Sequence, residues 1–263
     1  MTLVMIVAAA LAGGVLSTLA AAATLRIDAT WIPRFVSFAV GALLGAVFLE
    51  LLPHALEDGD AHSVMLTVLV GLLAFFLLEK LVLWRHAHGH DAHSDAREES
   101  EHQHALHAHA TPHADGGRSG LMILIGNAVH SFCDGIVIAA AFIAGESLGI
   151  ATTLAIVAHA VPQQVGDFAV LLHSGFARAK AFAYNVAAGV ATLAGALAAY
   201  GALADMQQTL PVVLAIAAAS LLYVAVADLI PSLHRRSEPI ETAKQTLWIV
   251  LGIAIIAVTH RLL

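Results

Sequence analysis

The chain has 263 residues, of which 59% are hydrophobic and only 12% charged, with a formal net charge of −7. A soluble domain carries about twice that share of charged residues, so this composition, with a mean hydropathy of +0.84, defines an integral membrane protein and excludes a soluble one. The charge is not gathered into a basic face, which excludes nucleic acid as a partner, and the single Cys133 excludes an intrachain disulfide framework and a CxxC zinc ribbon.

Apolar runs of roughly 20 residues, long enough to cross a bilayer as helices, predict an all-α polytopic fold with eight transmembrane helices. They run from Leu3 to Leu25, Phe35 to Leu56, Ser63 to Trp84, Leu121 to Gly145, Leu148 to Leu172, Ala181 to Ala204, Leu210 to Ile230 and Thr246 to Leu263. The first has no charged n-region and reads as a retained span rather than a cleaved leader. Residues 1–85 therefore hold helices 1 to 3, residues 86–118 a connecting loop, and residues 119–263 helices 4 to 8.

Arg26, Arg34, Lys80, Arg85, Arg97, Arg118, Arg178, Lys180, Arg235, Arg236 and Lys244 all fall in or beside connections that follow odd-numbered spans. Only Arg261 does not. The positive-inside rule makes those connections cytoplasmic, which puts both termini outside together with the acidic link Glu57, Asp58 and Asp60.

The one long loop concentrates nine of the sixteen histidines: His86, His88, His90, His93, His102, His104, His107, His109 and His113. Interleaved with acids and small residues, it cannot pack a core, so disorder is expected without a ligand. Imidazoles at that density capture borderline divalent metals such as zinc.

Spans 4 and 5 carry the chemistry. LIGNAVHSFCDGIVIAAAF and AIVAHAVPQQVGDFAVLL place His130, Asp134, His159, Gln163 and Asp167 among Ala, Val, Ile and Leu, where an ionisable group costs on the order of 3 kcal/mol to insert. Residues four apart share a helix face, so His130 pairs with Asp134 and His159 with Gln163, with Asn127 a turn before His130. Two such pairs on adjacent antiparallel helices converge on one ion. Pro162 removes the hydrogen bond to the Ala158 carbonyl beside them. A self-satisfied hydrogen-bond cluster is the alternative, but packing alone has no need of an acid there. Cys133 reads as a small core residue or a soft ligand, Ser131 as bonded to its own helix, and Asp167 and His173 as lying toward the end of span 5.

HSFCDG followed by HAVPQQVGDFAVLLHSG resembles the paired signature of the Zrt/Irt-like (ZIP) divalent metal transporters, and within them the histidine-rich subgroup. LLPHA at Leu51 to Ala55, Asn185 in span 6 and YVAVADLIP in span 7 extend the likeness over the whole chain. The resemblance implies transport of zinc, or of iron, manganese or cadmium, toward the cytoplasm, with His130, Asp134, His159 and Gln163 matching the principal metal ligands. It implies no cofactor, a homodimer, and helices 1, 4, 5 and 6 moving against 2, 3, 7 and 8. Ser131, Ala160 and Gln164 depart from the family pattern, each standing where a carboxylate or amide is usual, so a second metal position is expected to be missing or weak. Glu50 and His54 in span 2 and Asp228 in span 7 are auxiliary candidates along the path.

Two readings from other classes compete. An acid and two histidines also make a catalytic zinc site, but no HExxH motif and no separate general base accompany them. A metal-sensing or metal-buffering membrane protein would use the loop and leave the buried quartet without a purpose. Short connections suggest a bacterial inner membrane as the location.

Overall fold

The computed structural model describes residues 1–24, 31–87, 118–173, 176–203, 206–234 and 238–262. Among them there is no strand, and eight helices are long and apolar enough to cross a membrane. In a bilayer every backbone polar group must be satisfied within the protein, and an apolar run does so by coiling into a helix. The helices are α1 (Thr2–Thr24), α2 (Ile32–Asp58), α3 (Ala61–Ala87), α4 (Arg118–Ala144), α5 (Glu146–His173), α6 (Arg178–Leu203), α7 (Leu210–His234) and α8 (Pro239–Leu262).

The span count and order match the apolar runs, whereas the ends run past them. The helix α8 begins at Pro239, well before Thr246, because Glu241, Lys244 and Gln245 continue the helix beyond the apolar stretch. Polarity marks where a membrane would stop, and a helix can continue into water. For the same reason α3 reaches Ala87 and α4 starts at Arg118, so both ends of the expected 86–118 loop are helical. His88 to His113 lie outside the described residues.

Two departures from regular helix carry acids. Within α2, Ala46–Leu51 is a π-helical stretch, and within α7 so is Val224–Leu229. Each precedes a proline, Pro53 or Pro231, which has no N–H to give the carbonyl one turn back. The register slips by one residue: the Leu52 amide bonds the Val47 carbonyl and the Ile230 amide bonds that of Ala225. Glu50 and Asp228 each stand three residues before the proline.

The helices α1, α4, α5 and α6 pack on one another, α2, α7 and α8 form a second group with α3 held against α7, and α2 meets α5 across the boundary. Glycine sets the closest approaches. A Cβ on Gly135 of α4 would strike the Thr192 carbonyl of α6, and one on Gly195 would strike the Phe132 carbonyl of α4. Gly41 and Gly252 do the same for α2 against α8. Ile6, Leu43, Leu51, Ile138, Leu148, Leu214, Leu221 and Ile256 form one continuous buried cluster through the bundle.

Candidate metal centre

The hairpin of α4 and α5 turns at the single residue Gly145, whose amide bonds the Ala141 carbonyl and whose carbonyl accepts the Gly149 amide. Asn127 and Gln163 are equidistant in sequence from that turn, and His130 and His159 differ by one residue, so the antiparallel helices bring each pair to one depth. The structure shows both pairings: His130 Nε2 lies 3.3 Å from His159 Nε2, and the Gln163 amide donates to Asn127 Oδ1 at 3.2 Å.

Asp134 completes the first pair. Its Oδ2 lies 3.5 Å from His130 Nε2 and 3.5 Å from His159 Nε2. His159 Nδ1 faces the Ala155 carbonyl at 3.3 Å; a carbonyl only accepts, so Nδ1 carries the proton and Nε2 presents its lone pair to the cluster. The donor separations match an ion's requirements. Tetrahedral zinc at about 2.0–2.1 Å from its ligands sets neighbouring ligands roughly 3.3–3.4 Å apart. Burial is graded, with side-chain exposures of 1% for His159, 7% for Asp134 and 25% for His130.

Among the described residues these three are the one group of His, Cys, Asp and Glu close enough to share a metal ion. Gln163, expected as the fourth ligand, has its amide turned to Asn127 across an adjoining cleft. That cleft is narrow, with a volume of about 20 Å³, and is lined by Asn127, Ser131, Asp134, Ala160, Gln163 and Gln164 from α4 and α5, by Ser17 of α1 and by Thr192 of α6. Apart from Asp134 its lining is neutral. Ser131 Oγ points to Asn127 Oδ1 at 3.4 Å, and Thr18 Oγ1 lies 3.4 Å from Gln164 Oε1 and 3.5 Å from the Asn185 carbonyl.

The other candidates are dispersed. Cys133 is half-buried on α4 beside Asp134 but belongs to no ligand cluster. Among the described residues, the buried Oδ2 of Asp167, one turn past Gln163, and the Asn185 amide nitrogen have no hydrogen-bond partner. Glu50 is fully buried in the π stretch of α2, and His54 Nδ1 donates to the Glu50 carbonyl at 2.9 Å, leaving its Nε2 as the acceptor. Asp228 lies in the π stretch of α7. Ser17, Thr18 and Thr192 escaped sequence reading because each hydroxyl also bonds a carbonyl of its own helix, as serine and threonine commonly do in apolar helices.

The fold and site together define an eight-span helical membrane protein with a cluster of two histidines and one aspartate at the meeting of two central helices. The chain matches the ZIP zinc transporter family across residues 1–260 and belongs to it. Members of that family are transporters, not enzymes. Zinc transporter ZIP13 of Pongo abelii is 31% identical over 237 residues, covering 84% of this chain and 65% of that protein. The ZIP13 homolog of Drosophila melanogaster is 30% identical over 284 residues, with 88% and 78% covered. Zinc transporter ZIP4 of Homo sapiens is 31% identical over 253 residues, with 78% and 39% covered. The chain thus spans from about two-fifths to about four-fifths of these relatives' lengths.

Proposed function

We propose that this chain carries divalent transition-metal ions, zinc foremost, across the membrane toward the cytoplasm, with His130, Asp134 and His159 as the ligands that receive the ion. The observation that carries this reading is the set of three donor separations, 3.3, 3.5 and 3.5 Å, which suit a tetrahedral ion and exceed an ordinary N–H···O hydrogen bond. Two neutral imidazoles and one carboxylate offer a dication a single formal negative charge, which favours borderline zinc over harder manganese or iron. The adjoining neutral cleft supplies amide and hydroxyl oxygens, Gln163 among them, that keep the ion partly hydrated without trapping it.

Asp167 is the next acid along α5, at about 12 Å beyond His159 by helical rise, and lies toward the end bearing Arg178 and Lys180. A buried carboxylate without a partner costs several kcal/mol in a bilayer. A role in receiving the ion after it leaves the cluster accounts for that cost. Glu50, His54 and Asp228 border the same route from α2 and α7. The positive-inside pattern supports outward termini and a cytoplasmic His-rich loop that captures released metal, short connections favour a bacterial inner membrane, and the resemblance favours a homodimer. Reconstituted protein should load zinc into proteoliposomes well above protein-free vesicles. Zinc-dependent hydrolysis without flux would favour the metalloenzyme reading, and zinc binding without either would favour a sensor.

A further inference from the structure

The strongest unassigned feature lies on the basic-residue side of the bundle, at the starts of α2 and α8. An open cleft of about 180 Å³ there is lined by Arg34, Ser37, Glu241, Lys244, Gln245 and Trp248. The Arg34 guanidinium lies 4.5 Å from the centre of the Trp31 ring, and Trp31 meets Trp248 edge-on at 6.5 Å. Among the described residues Arg34 forms no ion pair with a carboxylate, whereas Lys244 bonds Glu241 at 2.7 Å.

The two helix ends differ in the same direction. The helix α8 has Glu241 in its first turn, an acid already serving the positive end of the helix dipole. The helix α2 starts with no acid in its first turn and no side-chain cap, and Arg34 stands in that turn. An uncapped helix start, an aromatic-backed guanidinium without an acid and a nearby ammonium all favour a bound anion. Ser37 and Gln245 are engaged elsewhere, donating to the Pro33 and Leu233 carbonyls, so Arg34 and Lys244 supply the recognition.

We propose that this cleft seats the phosphodiester headgroup of an anionic phospholipid, clamping α2 to α8. The site lies at the ends of two membrane-spanning helices and beside the Trp31–Trp248 pair, the depth at which lipid phosphate is the abundant anion. Two cations against one carboxylate leave the lining net positive, which selects an anionic lipid over a zwitterionic one.

Native mass spectrometry of the whole chain in detergent, with phosphatidylglycerol, phosphatidylcholine or inorganic phosphate added, tests this. Phosphatidylglycerol should be retained in preference to phosphatidylcholine and should not be displaced by inorganic phosphate at equal concentration. Arg34→Gln should cut retention roughly fivefold, the factor given by about 1 kcal/mol per interfacial basic residue, and Glu241→Gln, which frees Lys244, should raise it. Equal retention of both lipids would overturn the proposal, and displacement by inorganic phosphate would mark a free-anion site instead. If Arg34→Gln does not fold, unchanged retention in Glu241→Gln is sufficient to overturn it.

Discussion

The hydrogen bond from His159 Nδ1 to the Ala155 carbonyl makes a residue-level prediction. It fixes the tautomer that presents Nε2, so His159→Ala should abolish zinc flux, whereas Gln163→Ala, which removes an amide bonded to Asn127 rather than a member of the cluster, should reduce it less. Loss of a side chain that borders the ligands without belonging to them costs about 10–100-fold in metal proteins at most, measurable as an increase in the zinc concentration for half-maximal uptake. Ala160→Glu would put a carboxylate into the neutral cleft; uptake assays should then show tighter zinc binding and broader acceptance of manganese or iron. Away from the site, Asp60 caps α3, its Oδ2 accepting the Ser63 amide and hydroxyl, both at 2.9 Å. The Ser63 amide and hydroxyl hold its carboxyl below the usual carboxylate value. The folded form is therefore favoured above that usual value and loses the contribution as pH falls through the depressed one. In Asp60→Asn, thermal unfolding should lose this acid-side pH dependence.

At the scale of helices, the glycine contacts between α4 and α6 set how closely the backbone beside Asp134 approaches its neighbour. Gly135 follows Asp134 directly, and a side chain there meets the α6 backbone. Gly135→Val should cost about 3 kcal/mol, the upper end of overpacking penalties, and displace Asp134, whereas Gly201→Ala, where nothing lies near an added Cβ, should stabilise α6 by up to about 1 kcal/mol. Thermal unfolding in detergent distinguishes the two. The hairpin of α4 and α5 was legible because two apolar spans are separated by a link of a few residues near Gly145. The π stretches were not, since Pro53 and Pro231 announce a lost hydrogen bond without saying whether the helix kinks, ends or slips its register. Gln163 shows a related gap: spacing put it on the His159 face, but only the positions of both helices reveal that Asn127 takes its amide.

Across the whole molecule, hydropathy was sufficient for eight spans because lipid leaves an apolar segment no alternative to a helix. Which helices pack together depends on small residues whose partners lie far away in sequence, as Gly14 of α1 against Gly189 of α6, and was legible only through the family resemblance. The proposed orientation makes a direct prediction in a Cys133→Ala background. Asp58→Cys should react with an impermeant thiol reagent on intact cells and Lys180→Cys should not; the reverse labelling would overturn the proposed orientation. The central claim is that Asp134 holds the moving ion with His130 and His159. Zinc uptake by proteoliposomes bearing Asp134→Asn, which keeps the shape and removes the one carboxylate of the cluster, tests it most directly. Uptake should fall at least tenfold, the effect of about 1.4 kcal/mol, in protein that still folds; unchanged rate and unchanged half-saturating zinc would contradict the claim.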